Sequence, residues 1–225
     1  MKAIVQKVLA ERGFCSRREG ERLVAAGKVR INGSVAPIGA LVSAQDDVTI
    51  EGFSLDEKQT VAVYKPRGIV CSRNGDEGKT IFESLPQYEQ LHAVGRLDKE
   101  SEGLLILTND GRLTRGVTGD DHRIEKEYIV EVREEVFPGL MQKMEKGIMI
   151  DGERTRPCTA RLRENKHSFM ITLKEGRKHQ IRRMCDACHL TVVSLKRIRI
   201  GSVRLLKMRP GNVRPLSAEE IKSLL

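Results

Sequence analysis

The sequence predicts an α+β fold: a small N-terminal helical/β module, then a larger domain with a mixed, mostly antiparallel sheet flanked by helices. Three observations predict it. The polar stretch "GFSLDEKQ" (52–59) lies between two apolar-patterned segments and reads as a linker. Period-two strand patterns and helical patterns are mixed, without the regular βαβ alternation of a parallel sheet. The chain has 225 residues, 39% hydrophobic and 32% charged, which is the balance of a folded globular protein with one large domain or two small ones. The expected division is 1–52, a linker at 53–59, and 60–225.

In the first segment Ile4, Val5, Val8 and Leu9 recur at helical spacing. "SRRE" (Ser16 to Glu19) fits a capping box, in which the serine hydroxyl and the glutamate each satisfy a free backbone N–H. Leu23 and Val24 give that second helix an apolar face, and Gly27 can end it. "KVRINGSV" alternates and then turns at Asn32-Gly33, a strong hairpin signal. "DDVTI" supplies a last strand. So small a core is marginal alone. Arg17, Arg18, Arg22, Lys28 and Arg30 stand ready for phosphate contacts. The run "KVLAERGFCSRREGERLVAAGKVRING" resembles the RNA-binding module named after ribosomal protein S-four. The resemblance implies that its second helix and the following loop grip structured RNA.

The second segment opens with "TVAVYKPRGIVCS", where Pro66, lacking a ladder donor, belongs at a strand end or edge. "GLLILTNDG" reads as a buried strand closed by a turn, "GRLTRGVT" as a helix and "EKEYIVEV" as an alternating strand. "FPGLMQKMEKGIMI" reads as a helix after Pro138, and "TARLRE" with "SFMITLKEG" as a hairpin pair. "RKHQIRRMCDACHL" carries helical apolar spacing, and "TVVSLKRIRIGSVRL" reads as strand, break, strand.

Composition narrows the partners. The formal net charge is +9, and it is concentrated. Between Lys174 and Arg214 lie twelve Lys and Arg against only Glu175 and Asp186. Such a local field fits a polyanion, nucleic acid above all. No run approaches the ~20 apolar residues that cross a bilayer. The N-terminus lacks an apolar signal core, and five cysteines are an odd count, so the expected setting is the reducing cytoplasm. "CDACH" (Cys185 to His189) matches a haem-attachment pattern, but no second C-x-x-C completes a zinc site and both thiols continue a helix's apolar face. They read as core thiols. His92, His122, His167, His179 and His189 show no metal spacing and read as polar contacts.

One stretch remains, "GRLDKESEGLLILTNDG" (95–111). Asp98 stands where a loop meets a buried strand, two residues from Arg96. A carboxylate there, kept ionised by a neighbouring cation, is a nucleophile or base. The plain alternative is that it caps a turn or pairs with Arg96. Tyr128 in "EKEY" sits on a strand, where its ring can stack on a base. "EGRKHQIRRM" gathers cations at a strand-to-helix corner, one able to reach Asp98 while neighbours such as Arg177 and Lys178 face phosphate.

Together "GRLDKESEGLLILTNDG", "EKEYIVEV", "GRKHQIRRM", "YKPRGIVCS" and "LKRIRIGSVRL" resemble, in order and over essentially the whole chain, the ribosomal RNA pseudouridine synthases of the RsuA/Rlu type. The resemblance implies isomerisation of uridine without metal or cofactor. It implies Asp98 as the essential carboxylate, whether it attacks the ribose, attacks the ring or removes a ribose proton. It further implies Tyr128 stacked on the target base, Arg182 paired with Asp98, Leu195 in the apolar pocket wall and Lys65 in support of the site, counted with Leu195 and Arg96 among the substrate- or RNA-contacting residues. Arg96 is placed to fill the space left by an extruded nucleotide. "GDDHRIEKEY" and "QIRRMC" favour large-subunit (23S) over small-subunit (16S) ribosomal RNA. A monomer acting on ribosomal RNA or an assembly intermediate is expected. The rival reading is a non-catalytic RNA-binding or ribosome-assembly protein.

Overall fold

In the computed structural model, which describes residues 2–52, 58–119 and 124–225, four apolar clusters form, one of them confined to the first fifty residues. That N-terminal cluster joins β1 (Ala3–Ile4), α1 (Val5–Glu11), α2 (Arg17–Ala25), β2 (Val29–Ile31), β3 (Ser34–Val35), β4 (Leu41–Val42) and β5 (Val48–Ile50). Val5, Leu9, Val24 and Val29 turn inward from their elements, as the spacing requires. Strands β3, β2 and β5 make one antiparallel sheet, and β1 pairs with β4. The β2–β3 turn uses positive φ at Asn32 and Gly33, which those residue types tolerate. Only half of the expected box caps α2. The Ser16 hydroxyl accepts from Glu19 N at 3.2 Å, but the Glu19 carboxylate pairs with Arg22, one turn on.

The rest of the described chain runs β6 (Thr60–Lys65), α3 (Ile81–Ser84), β7 (His92–Val94), β8 (Glu102–Thr108), α4 (Gly111–Thr118), β9 (Lys126–Val132) and α5 (Pro138–Glu145). It continues through β10 (Met149–Ile150), β11 (Glu153–Arg154), β12 (Thr159–Leu162), β13 (Ser168–Leu173), α6 (Gln180–Asp186), β14 (Val192–Ile200), β15 (Val203–Arg204), β16 (Val213–Pro215) and α7 (Ala218–Lys222). The main sheet has the order β12-β13-β9-β14-β8-β6-β16, with β15 on β14 and β7 on β8. Its pairs are antiparallel except β14 with β8, which run parallel through Lys196↔Glu102 and Arg197↔Gly103. Gly103 has φ +108°, and a Cβ there would stand 2.3 Å from the Arg197 carbonyl oxygen. The glycine therefore lets the two central strands close, and the loop 95–101 that leads into β8 crosses the end of β14.

Two differences from the sequence reading have simple causes, while Pro66 keeps its expected place at a strand end. Helix α5 stops at Glu145, because Gly147 takes φ +87° and the "IMI" that follows becomes β10. Asp110 does more than turn the chain after β8: its carboxylate accepts from Arg112 N at 3.0 Å and starts α4. Proline 66 follows directly on the last residue of β6, so it removes no ladder bond. Most of the expected linker (53–57), together with His122 and the "DDHR" of "GDDHRIEKEY", lies outside the described residues.

Cys185 and Cys188 are buried in the cluster on the α5–α6 side of the sheet. Burial pushes the Cys185 thiol up to about 12 and raises that of Cys188, so both stay protonated at neutral pH. No helix among the described residues is long and apolar enough to cross a membrane.

Candidate active site

The loop from Gly95 to Ser101 is shaped by what it buries. Leu97 points into the core, and its N–H donates to Cys71 Sγ at 3.4 Å. Its neighbours therefore face outward: Arg96 is exposed, and a third of the Asp98 side chain is open. Ser101 N donates to the Asp98 carbonyl at 3.0 Å and closes a turn.

Two fully desolvated cations hold this loop from below. Lys65 is 0% exposed, and its Nζ donates to the carbonyls of Pro66 at 2.8 Å and Ser101 at 2.7 Å. Burial pulls its ammonium below the ordinary value, with Cys71 and Asp98 acting the other way. Arg197 is 2% exposed, and it donates to the Leu104 carbonyl at 2.7 Å and the Arg96 carbonyl at 3.4 Å. Its Nη2 is buried without a partner. From α6, Arg182 Nη2 donates to the Glu100 carbonyl at 3.0 Å. Cation-to-carbonyl bonds of this kind are stronger than neutral ones. They fix the backbone and leave the Asp98 carboxylate free to face the cleft.

That cleft has a volume of about 630 Å³. Asp98 and Arg96 form one edge, Tyr128 and Leu195 line it from the sheet, and Arg177 and Lys178 stand on its rim. Tyr128 is half-buried on β9, opposite Arg197 on β14 and Ile171 on β13. Leu195 is 5% exposed, which suits an apolar wall. Lys126, two residues before Tyr128 and so on the same strand face, also lines the cleft. Its Nζ donates to the Val117 and Ile124 carbonyls at 3.0 and 3.1 Å. Burial, helped by the charge of Arg197, brings its pKa down to about 8.

Two expectations need correction. Arg182 does not pair with Asp98. The side chain that faces Asp98 is that of His179, with Nε2 3.4 Å from Oδ1. His179 adopts left-handed backbone, φ +53°, at the N-cap of α6, which turns its ring toward Asp98; Arg182, nearly one turn later, reaches the loop's backbone instead. Lys65, expected among the substrate- or RNA-contacting residues, is sealed under the loop and can act only by positioning it. Arg177 lines the cleft but is already tied to Glu153 at 3.1 Å, whereas Lys178 makes no side-chain bond among the described residues. Arg17, Arg18 and Lys28 are exposed on the N-terminal module. Arg30 there donates to the Gly33 carbonyl at 3.3 Å and faces Glu51 at 3.7 Å.

Arg197 and Lys126 went unassigned in the sequence, where His179 reads only as a polar contact. For the first two a signal existed, since strand alternation puts Arg197 on the face of Leu195 and Lys126 on that of Tyr128. The left-handed turn at His179 has no local signal.

Comparison with known proteins places the chain in a family. Residues 59–187 match the family described as RNA pseudouridylate synthase, and residues 5–48 match the S4 domain. The chain is 33% identical to the "Ribosomal large subunit pseudouridine synthase B" of Bacillus subtilis (strain 168), covering 98% of this chain and 94% of that one. It is 34% identical to the "Ribosomal small subunit pseudouridine synthase A" of Pasteurella multocida (strain Pm70), covering 96% and 97%. It is 35% identical to the "Dual-specificity RNA pseudouridine synthase RluF" of Escherichia coli (strain K12), covering 98% and 77%. A crystal structure of a pseudouridylate synthase superimposes with a TM-score of 0.75 at 31% identity, covering 99% of each chain. With a carboxylate loop and a facing tyrosine set in one cleft, and an S4 domain earlier in the chain, this protein belongs to the RNA pseudouridylate synthase family.

Proposed function

We propose that this enzyme converts a specific uridine of ribosomal RNA to pseudouridine, with large-subunit (23S) RNA as the substrate. It works as a cytoplasmic monomer, without metal or cofactor. The domains are an RNA-gripping unit at 1–52, a linker at 53–59 and a catalytic domain at 60–225. One observation carries the reading. Two carboxylates line the cleft, Asp98 and Glu175, and only Asp98 is open. Glu175 is occupied by Gln180 Nε2 at 2.6 Å and Arg156 N at 3.0 Å.

The reaction needs little else. The bond between uracil N1 and ribose C1′ breaks, the ring turns, and a bond from C5 to C1′ forms. The C5 proton is lost and N1 gains one, so no electrons are exchanged with the surroundings. The nucleotide must first leave its stack, at a cost of a few kcal/mol. Arg96, exposed and without a side-chain bond among the described residues, fills the vacated space. Tyr128 stacks on the extruded uracil, Leu195 backs it, and Asp98 acts at the ribose–base junction, with His179 beside it and Arg182 steadying its loop. Arg177 and Lys178 meet phosphates at the rim, while Arg17, Arg18, Lys28 and Arg30 grip flanking RNA.

Small-subunit (16S) RNA is the second substrate reading, favoured by the 34% identity to a relative named for that subunit. A non-catalytic RNA binder has no use for an open carboxylate facing a polyanion. Incubation with unmodified 23S and 16S transcripts, followed by chemical labelling of pseudouridine and primer extension, tests the proposal. One new stop in the 23S transcript, absent with Asp98→Asn, is expected. A stop confined to 16S would move the substrate to the small subunit. No stop in either transcript would refute ribosomal RNA isomerisation.

A further inference from the structure

The Asp98 loop is a ridge between two clefts, and the second has no role in what has been described. It has a volume of about 580 Å³ and lies on the other side of the loop, against residues 70–72. Arg96, Asp98, Lys178 and His179 line both clefts. The floor of the second is apolar: Val70, Cys71 and Leu97 are each less than 10% exposed. Its rim carries the cations Arg96, Lys99, Lys178 and Arg182 and the carboxylates Glu77, Asp98 and Glu100, the last already paired with Arg67 at 2.8 Å. Lys99 spans the far side, its Nζ donating to the Glu77 carbonyl at 2.7 Å, and so ties residue 77 to the ridge. The carboxylate of Glu77 makes no hydrogen bond or ion pair among the described residues.

An apolar floor can cover the face of a nucleobase, and the rim cations can meet the phosphates on either side of it. We infer that the second cleft seats the base next to the target uridine, with Glu77 reading its edge. This inference rests on the proposed isomerisation of an RNA uridine. Because Asp98 borders both clefts, a uracil in the first and its neighbour in the second are joined by one phosphodiester passing over Arg96. A carboxylate accepts hydrogen bonds and donates none, so Glu77 favours a base that offers an amino group, as adenine, cytosine and guanine do, over uracil, whose single N–H lies between two carbonyls.

The test uses the full chain and a short RNA carrying the mapped uridine labelled with tritium at C5, whose release reports turnover. An abasic residue is placed on either side of that uridine in turn. Wild-type kcat/KM is expected to fall on the order of tenfold for one side. Ser72→Trp, which fills the cleft, should lose as much on the intact RNA and little more on the abasic one. Glu77→Gln should narrow the preference for an amino-bearing neighbour on the order of tenfold, without lowering kcat on the abasic RNA. Indifference to both abasic positions would overturn the subsite, as would Ser72→Trp and abasic losses that multiply, or an unchanged preference in Glu77→Gln. Absence of tritium release from wild type on every RNA would instead overturn the isomerase reading, and this one with it.

Discussion

Asp98 and Lys126 face the same cleft with opposite charge and opposite tasks. Asp98 is held by its backbone and keeps its carboxylate open beside His179, so its removal should touch chemistry more than binding. Asp98→Asn is expected to retain RNA affinity and to lose about 10²-fold or more in kcat, as measured by tritium release with filter binding in parallel. Lys126 contributes a charge that burial has made fragile. With its pKa near 8 against an ordinary 10.5, the folded protein gives up this proton before the unfolded chain does. Two consequences have definite sign. Between about pH 8 and 10.5 the residue's contribution to stability rises with pH, because the unfolded chain then binds more protons. RNA affinity falls over the same rise, since a cleft cation disappears. Kd for the RNA should increase on the order of tenfold above pH 8, the worth of one charge-assisted hydrogen bond. Lys126→Arg should flatten that limb in a binding titration.

Among the elements, the parallel contact of β8 with β14 decides where the site lies. It brings the loop before β8 over Leu195 and Arg197, which enter from a strand almost a hundred residues later in the chain. The contact requires Gly103. A methyl group there would meet the Arg197 carbonyl and would sit at positive φ. Gly103→Ala should therefore lose about 2 kcal/mol or more, combining backbone strain with overpacking. Denaturant unfolding measures the loss. Activity of the folded fraction should fall too, because the glycine's partner is the residue that holds the Arg96 carbonyl. The edges of the cleft are stitched in a comparable way. Asp151 and Glu153, at the β10–β11 hairpin, pair with Arg183 in α6 and with Arg177 just before it, so hairpin and helix form one wall.

At the scale of the molecule, the N-terminal module meets the catalytic domain through α1 and α4. Glu11 pairs with Arg115 at 2.9 Å, Lys58 donates to the Gly13 carbonyl, and Gly111 passes so close that a Cβ would stand 3.1 Å from the Ala10 carbonyl oxygen. On the proposed function, the module adds grip on flanking RNA to a catalytic unit with which it is in contact. Arg17 and Arg18, exposed at the start of α2, should affect only that grip. A double Arg17→Ala, Arg18→Ala variant is expected to bind RNA more weakly and to flatten the plot of log affinity against log salt by about 1.4–1.8, the release of two counterions. Its kcat at saturating RNA should not change. A reduced kcat would mean that the module also orders the cleft.

Much of this was legible in the chain. Periodicity placed most of the helices and strands, Asn32-Gly33 its hairpin, and the two core cysteines their helix face, because these depend on neighbours a few residues away. The "GRLD" setting marked Asp98 for the same reason: a polar loop against four apolar residues is a local pattern. What the sequence left open depends on distance. Whether Asp98 meets Arg182 or His179 turns on one left-handed residue at the start of α6. That Lys65 and Arg197 lie buried beneath the loop follows from strands paired across the sheet, not from residue type. The second cleft exists only because residues 70–72 fold back against the far side of that loop. By itself the sequence determined most of the elements, since short-range sterics and burial decide them, and it made Asp98 the candidate for chemistry. The partners of that side chain were left to the tertiary structure, because hydrogen bonds and ion pairs go to whatever the packed sheet and helices bring within 3–4 Å.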